Sequence, residues 1–210
     1  MNYVNQKHFE ILAVFITAAL KFILMDWLNW RAFYLTGICL FWLGYIFFQV
    51  KTDRESVKFW GFKKEHFRQT MLCLAPLIFI VIIVSPLFSS FNKSLFFSWQ
   101  FILVLFLYSL WGIIQQFIML GIISNSMVSI AEVKINKYLL IVLISILFSL
   151  IHYPDFFLMI FTFSLELIFI TVYLKWRNLW AIGIAHGWIA SFILYFVLGR
   201  DLWAELLSSF

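Results

Sequence analysis

Seven mostly apolar stretches follow one another along this chain, and each has about the length of a helix that crosses a membrane. A hydrocarbon core of about 30 Å takes about 20 apolar residues, which locates the stretches at roughly residues 9–25, 32–50, 69–88, 96–124, 138–152, 156–174 and 179–199. A backbone in lipid must satisfy its hydrogen bonds internally, as α-helices do. The sequence therefore predicts an all-α polytopic bundle of about seven transmembrane helices, in a single integral-membrane domain over residues 1–210.

Composition excludes a soluble domain. Only 12% of the residues are charged and 64% are hydrophobic, which leaves too few polar side chains to cover the surface of a soluble fold. The net charge of +5 is explained by a basic face against anionic lipid, so we expect membrane lipids and no nucleic acid as partners. Cys39 and Cys73 lie in apolar stretches without metal-type spacing and are interpreted as small packing residues.

Lysine and arginine are unequally divided between alternate connections. One set holds Lys7, Lys51, Arg54, Lys58, Lys63, Lys64, Arg68, Lys134, Lys137, Lys175 and Arg177, and the other holds Arg31, Lys93 and Arg200. The positive-inside rule assigns the richer set to the cytoplasm, which predicts a cytoplasmic N-terminus and an external C-terminus. Lys21 falls inside the first stretch, where its aliphatic stem is expected to extend toward an interface.

The longest connection, residues 51–70, mixes basic and aromatic side chains. Such a pattern predicts a segment that lies on the membrane surface. The side chains expected to enter the lipid are Phe59, Trp60, Phe62 and Phe67. A loop that grips a ligand is the alternative, and His66 is interpreted as a solvated titratable group.

Glu166 is a lone carboxylate within the apolar stretch 156–174. A charged group near the centre of a bilayer costs about 2.5–3.5 kcal/mol, so it normally faces the bundle interior and has a partner. Pro154 and Asp155 predict a turn followed by a helix start, and Thr162 then lies one turn before Glu166 and is expected to contact it. A buried, hydrogen-bonded carboxyl is suited to general-base chemistry; the alternative is a protonated Glu166 that only links two helices.

Two histidines lie in the apolar segments that flank Glu166. His152 ends the fifth stretch, and His186 lies within the seventh, between Gly183 and Gly187, which permit another backbone to approach closely. Histidines beside a carboxylate can position water and stabilise charge. Metal binding by His152, His186 and Glu166 is the weaker alternative, because no compact signature such as His-Glu-x-x-His is present; we therefore expect no cofactor.

Gln115 and Gln116 lie in the preceding stretch, on the fourth predicted helix. Adjacent helical positions point about 100° apart, so at most one of the two faces a given partner. An inward amide can donate to an oxyanion or align a substrate. Hydrogen bonding between helices is the alternative role.

In this order the polar residues resemble a known family, the CAAX prenyl protease and bacteriocin-processing family of intramembrane peptidases. Its motifs are Glu-Glu-x-x-x-Arg, Phe-x-x-x-His and His-x-x-x-Asn on successive helices. The segment Phe148-Ser-Leu-Ile-His152 fits the second motif, and the stretch from His152 through Arg177-Asn to His186-Gly-Trp is similar to the stretch between the second and third motifs. The resemblance covers about residues 108–192 and implies a peptidase of the membrane, which we expect in a bacterial plasma membrane.

The chain departs from the family at two motifs. Gln115-Gln116-Phe-Ile-Met-Leu120 stands where the family has paired glutamates and an arginine, and Ala190 stands where the third motif ends in asparagine. A neutral amide takes no proton from water at neutral pH. The interpretation is a variant in which Glu166 is the base, His152 and His186 position water and stabilise charge, and Gln115 or Gln116, with Thr162, aligns the substrate or oxyanion.

Two other functions remain open from the sequence. A catalytically silent family member would bind a lipid, a prenyl chain or a partner helix in the same cavity. A proton-coupled transporter would use Glu166, although neither an internal repeat nor a pair of broken helices favours it. For the peptidase, the partner is a peptide or protein substrate cleaved at or near the membrane surface.

Overall fold

The computed structural model describes residues 3–92, 98–130 and 135–207, and it contains helices but no strand within those ranges. The helices are α1 Tyr3–Leu20, α2 Arg31–Thr52, α3 Arg54–Trp60, α4 Phe67–Asn92, α5 Gln100–Gln116, α6 Asn125–Ile130, α7 Lys137–Leu150, α8 Phe156–Trp176, α9 Leu179–Phe192 and α10 Leu202–Leu207. Three π-helical segments continue them: Lys21–Trp27 after α1, Phe117–Ser124 between α5 and α6, and Ile193–Val197 after α9. The all-α prediction is confirmed.

Six helical stretches among the described residues have the length and hydropathy of membrane spans. They are Gln6–Trp27, Arg31–Thr52, Phe67–Ser90, Gln100–Val128, Phe156–Trp176 and Leu179–Val197. Together they make the chain an integral membrane protein. The expected seventh span is α7, which has only 14 residues and is about 21 Å long at 1.5 Å per residue. Its helix ends at Leu150 in a turn before Pro154, because the residue before a proline avoids helical geometry.

The helix start predicted from Pro154 and Asp155 is present, and α9 begins with a similar cap. Asp155 caps α8 by accepting a hydrogen bond from the Leu158 backbone N–H at 3.0 Å. Asn178 caps α9 in the same way, through the Ala181 N–H at 3.0 Å. Such caps satisfy backbone donors that have no partner inside the helix. They hold α8 and α9 in register on either side of the tight connection at Arg177, whose φ is 46°.

Helices α5 and α9 cross at their glycines. A Cβ atom built on Gly112 would lie 2.5 Å from the Gly183 carbonyl oxygen, and one built on Gly183 would lie 2.5 Å from the Ile113 Cα. A Cβ on Gly187 would collide with the backbone of Tyr108 and Ser109. The predicted close approach at Gly183 and Gly187 is confirmed. It brings the end of α5 beside the middle of α9, as small residues do at membrane helix interfaces.

The connection 51–70 is folded against the protein more than the sequence suggested. Trp60 is only 1% exposed, and its ring lies 5.0 Å from that of Phe117. Phe62 packs against Phe117 and Trp180, with ring centroids 5.5 and 5.1 Å away. The expectation that Trp60 enters lipid is therefore wrong, because protein aromatics bury this side chain, and Phe62 is partly buried against the protein. Phe59, Phe67 and His66 are exposed, as expected.

Lys21 also differs from its expected role. Its ammonium group lies 2.6 Å from a carboxylate oxygen of Asp26 and donates to the backbone carbonyl of Tyr153 at 3.0 Å. The side chain is largely buried instead of extending to an interface, because these two acceptors satisfy the charge within the bundle. Lys21 thereby connects the end of α1 to the turn between α7 and α8.

Asn178 anchors the connection 51–70 beneath α9. Besides capping the helix, its amide nitrogen donates to the carbonyls of Lys63 at 2.7 Å and Glu65 at 2.9 Å. We expect Asn178→Ala to lower the free energy of unfolding by about 2–4 kcal/mol, because α9 loses its cap and two partly buried hydrogen bonds to the connection 51–70 are lost. Thermal unfolding in detergent measures this loss. Ser164→Ala, at an exposed position on α8, is the control, and equal melting temperatures for the two variants would contradict the assigned anchor.

Candidate active site

Three polar side chains from three helices meet in the centre of the bundle. Gln116 ends α5, Glu166 lies in the middle of α8 and His186 lies in the middle of α9. The Gln116 Nε2 atom lies 2.8 Å from Glu166 Oε2 and 3.2 Å from His186 Nδ1. Gln116 and Glu166 are completely buried and His186 is 4% exposed. Glu166 therefore faces the interior and has a partner, as its cost in lipid requires.

The hydrogen bonds of Gln116 fix the roles of its neighbours. A primary amide nitrogen carries two hydrogens, so one can point to Glu166 and the other to His186. With Nδ1 of His186 accepting, the neutral ring carries its proton on Nε2, which is then a donor. The Gln116 Oε1 and Glu166 Oε1 atoms are buried and have no hydrogen-bond partner among the described residues. The second oxygen of the carboxyl group is thus free to take a proton.

His152 lies beside this cluster at the turn after α7. Its Nδ1 atom is 2.9 Å from the Phe148 carbonyl oxygen, a contact in which the ring nitrogen is the donor. The proton is then on Nδ1, which leaves the Nε2 lone pair available as an acceptor. The Phe148 ring contacts both imidazoles, at 5.1 Å from His152 and 5.4 Å from His186. The two histidines therefore pack against the same aromatic ring. The Nε2 atom is an acceptor in His152 and a donor in His186.

Local packing holds the four helices in this arrangement. The α5–α9 crossing at Gly112 and Gly187 fixes Gln116 one turn beyond the contact and His186 next to it. On the other side, the Ser149 hydroxyl donates to the Met159 carbonyl at 2.8 Å. That bond joins the end of α7 to α8, two turns before Glu166, and so sets the position of the turn that carries His152.

Two residues proposed from the sequence lie outside the cluster. Gln115 is partly exposed on the opposite side of α5, in agreement with the expectation that only one of the adjacent glutamines faces the site. The predicted contact between Thr162 and Glu166 is not formed, because the Thr162 hydroxyl donates to the Leu158 carbonyl at 2.6 Å. Threonine in a helix commonly satisfies its hydroxyl on the preceding turn.

Within residues 3–92, 98–130 and 135–207, no three histidine, cysteine, aspartate or glutamate side chains are grouped closely enough to hold a metal ion. The Gln116 amide nitrogen instead contacts both the Glu166 carboxyl group and His186 Nδ1. The arrangement is one of hydrogen-bond donors around a single carboxyl group.

A second buried polar layer was missed by the sequence reasoning. Asn125 donates to the Tyr173 hydroxyl at 3.0 Å, and this hydroxyl donates to the Trp60 carbonyl at 2.8 Å. Asn125 lies on α6, which continues the span of Gln116, and Tyr173 lies on α8 with Glu166. Each is about two turns beyond the site residue. Their regular spacing from the site residues is the signal in the sequence, but tyrosine and asparagine near a span end are commonplace.

Comparison with known proteins gives one family. Residues 97–192 match the model of the family described as type II CAAX prenyl endopeptidase, Rce1-like. The matched region contains Gln116, His152, Glu166 and His186, and it ends where α9 ends. No curated protein and no solved structure matches the chain. The resemblance stated from the motifs is confirmed over the helices that carry the site.

Proposed function

We propose that this chain, whose residues 97–192 match the type II CAAX prenyl endopeptidase, Rce1-like family, is an intramembrane endopeptidase with Glu166 as its general base. The observation that carries this proposal is the single amide of Gln116 in contact with both Glu166 and His186. A family of membrane endopeptidases supplies the reaction class. The buried cluster supplies a proton acceptor and donors at one place.

The reaction assigned to the site is hydrolysis of a peptide bond. The Glu166 carboxylate takes a proton from a water molecule through Oε1, and the water oxygen bonds to the carbonyl carbon of the substrate. The carbon–nitrogen bond then breaks, and the proton on Glu166 passes to the leaving nitrogen. Gln116 keeps the other carboxylate oxygen in place through its 2.8 Å contact, so the side chain does not have to reorganise during proton transfer.

His186 is assigned to the oxyanion. Since its Nδ1 faces the Gln116 amide, the Nε2–H group is the free donor of the ring. A donor held in a buried site stabilises the negative charge that develops on the carbonyl oxygen, and the loss of one such donor typically costs about 10²–10³ in rate. The two buried flanking rings, Phe148 and Phe169, keep the imidazole in its orientation.

His152 is assigned to the attacking water. Its Nδ1–H group is engaged with the Phe148 carbonyl, so Nε2 can accept a hydrogen bond from water and orient the oxygen lone pair. Because His152 accepts and His186 donates a hydrogen bond, the two histidines can bind different groups on opposite sides of the reacting carbon. Water lies on the His152 side, and the carbonyl oxygen of the substrate lies on the His186 side.

The missing glutamates of the first motif are accounted for by the same contact. The resemblance implies a carboxylate at position 115 or 116 on α5, where this chain has amides. Glu166 is one hydrogen bond away from Gln116, on the facing helix. The carboxylate of this chain therefore lies on α8, one hydrogen bond from the amide that stands in the first motif on α5. Ala190 supplies no donor, which leaves more of the oxyanion stabilisation to His186.

The histidine assignments are tested with His152→Ala and His186→Ala. Membrane peptide profiles of cells with and without the parent protein first identify a substrate, and both variants are then assayed on that substrate in proteoliposomes. We expect each variant to lower the cleavage rate by about 10²-fold or more. Thr171→Val, at an exposed position on α8, is the control and is expected to cleave at the parental rate. Parental rates for both histidine variants would remove the assigned chemistry.

The second candidate is a catalytically silent binding protein. It is favoured by one specific observation, the amides at positions 115 and 116 in place of the family's acids. For such a protein, the Gln116–Glu166 bond would only join α5 to α8. A parent protein that retains bound peptide or lipid but leaves every membrane peptide intact would support this candidate over the peptidase.

A further inference from the structure

The two ends of the bundle differ in how they are closed. The contacts Gln116–Glu166 and Asn125–Tyr173 both join the α5–α6 region to α8. Residues between these positions on either element therefore lie between the two polar layers. Those with side chains that are completely buried are Phe117, Leu120, Ile122, Phe169 and Ile170. A continuous apolar layer thus separates the catalytic cluster from the end of the bundle that carries α3.

That end is closed a second time by backbone contacts. Tyr173 is bound to the Trp60 carbonyl, and the Leu179 backbone N–H donates to the Gly61 carbonyl at 3.0 Å. A Cβ on Gly61 would lie 2.8 Å from the Arg177 carbonyl oxygen, which shows how closely this connection fits the α8–α9 turn. The Asn178 bonds to Lys63 and Glu65 complete the seal.

The opposite end of the site is the turn between α7 and α8. His152 is partly exposed there, whereas Gln116, Glu166 and His186 are buried. Tyr153 and Asp155, which follow His152, are exposed. Besides its own backbone hydrogen bonds and the Ser149–Met159 bond, the turn is held by the Lys21 side chain through the Tyr153 carbonyl. Among the described residues, this turn is the exposed boundary of the catalytic cluster.

Charge assigns the two ends to the two sides of the membrane. At the closed end the exposed or partly exposed cations of the described chain are Lys51, Arg54, Lys58, Lys63, Lys64, Arg68, Lys137, Lys175 and Arg177. At the open end the described cations are Lys21, paired with Asp26, and Arg31 and Arg200, which share Glu205; of the cations named at the closed end, Lys58 is paired with Glu55. The excess of basic residues predicts that the closed end is cytoplasmic.

We infer that the catalytic cluster is reached from the extracytoplasmic side, past the turn 151–155, and that its substrate is a polypeptide segment on that side of the membrane. That the polypeptide is a substrate rests on the proposed peptidase function, whereas the direction of access rests on packing and charge alone. A segment that is extended at the membrane surface would pass His152 before it meets Glu166. Cytoplasmic polypeptides are excluded by the apolar layer and by the sealed connection beneath it.

Cysteine accessibility tests the direction of access. In a background of Cys39→Ala and Cys73→Ala, single Tyr153→Cys, Ser124→Cys and Lys64→Cys variants are treated with a charged, membrane-impermeant methanethiosulfonate. We expect Tyr153→Cys to react in intact cells and Lys64→Cys to react only after permeabilisation. Ser124→Cys, at a buried position next to Asn125 of the second layer, is expected to react at least tenfold more slowly than Lys64→Cys after permeabilisation.

An additional variant, Asp201→Cys, controls for the side of the membrane, because this exposed residue lies at the open end but on a different connection. Protection of both Tyr153→Cys and Asp201→Cys until permeabilisation would overturn the assigned side. Reaction of Ser124→Cys as fast as Lys64→Cys would overturn the closed cytoplasmic end. Purified variants are compared by size exclusion, and Asp201→Cys reports the side if Tyr153→Cys does not fold.

The cleavage rate is the second measurement of the access route. Modification of Tyr153→Cys from outside with a bulky reagent is expected to lower cleavage at least tenfold, and unchanged cleavage would overturn the access route. The labelling pattern does not depend on catalysis. Full cleavage by Glu166→Gln would remove Glu166 as the base, and a parent protein that cleaves no membrane peptide would remove the peptidase function. Neither result would alter the labelling pattern, so failure of the sidedness and failure of the peptidase function are distinguishable.

Discussion

Glu166→Gln is expected to abolish peptide cleavage while the fold is retained. The substitution removes the only carboxyl group of the cluster but keeps an oxygen that can accept from the Gln116 Nε2 atom, which lies 2.8 Å from the native carboxylate. We expect a loss of about 10²–10⁴-fold, the range that a positioned acid or base contributes. The cleavage rate in proteoliposomes measures it, and size exclusion in detergent reports folding.

Ser164→Ala provides the matched control for Glu166→Gln. Ser164 is on the same helix, two residues before Glu166, and its hydroxyl is exposed and bound to the Ile160 carbonyl. Its removal is expected to leave the cleavage rate unchanged. A Glu166→Gln protein that cleaves at the rate of this control would show that the carboxyl group is not the base.

A double variant that exchanges the residues at positions 116 and 166 tests whether the carboxyl group can act from α5 as well as from α8. Combining Gln116→Glu with Glu166→Gln returns the carboxyl group to α5 and leaves an amide on α8, across the same contact. We expect this double variant to cleave at least tenfold faster than Glu166→Gln alone, because proton acceptor and donor remain within hydrogen-bond distance. The absence of any recovery would show that the base has to approach the substrate from α8.

Gly187→Ala is expected to have the second large effect. Its added Cβ would collide with the backbone of Tyr108 and Ser109, and backbone atoms cannot rotate away as a side chain can. The helices α5 and α9 would have to separate, at a cost of about 1–3 kcal/mol for overpacking. The separation also draws Gln116 away from His186, so the melting temperature and the cleavage rate are both expected to fall.

Gly37→Ala and Gly44→Ala separate this effect from the general consequence of replacing a helical glycine. Both residues are on α2, and nothing lies within 4 Å of a Cβ built on either. Alanine in a helix is favoured over glycine by about 0.5–1 kcal/mol, so these variants are expected to melt at or above the parental temperature. If Gly187→Ala melted with them, α5 and α9 would not be in contact at this point.

Local sequence signals located the helices well. The sixth stretch, expected at roughly 156–174 from its length, is α8 at Phe156–Trp176, because Pro154 and Asp155 mark its start within a few residues. The fifth stretch was expected at roughly 138–152 and is α7, whose 14 residues are fewer than the about 20 that a hydrocarbon core takes, since hydropathy does not measure how early a turn begins. Apolar length and a terminating proline are local properties, and they are read from the chain directly.

The environment of an aromatic residue was harder to predict. The aromatic and basic neighbours of Trp60 and Phe62 in the sequence are compatible with a position against lipid or against protein. In the structure both side chains pack against Phe117. Similarly, periodicity showed that only one of Gln115 and Gln116 faces the site. Which one does so depends on how α5 is rotated against α9, and that rotation is set by the glycine contacts between distant parts of the sequence.

The shortness of α7 has a consequence for the bilayer around the site. Lipids beside a helix of about 21 Å meet a hydrophobic surface several ångströms shorter than the usual hydrocarbon core, and such a mismatch is relieved by local thinning of the bilayer. Local thinning is expected to bring phospholipid headgroups and their hydration water closer to His152, at the end of this helix. Water would then have a shorter distance to cover to the buried Glu166.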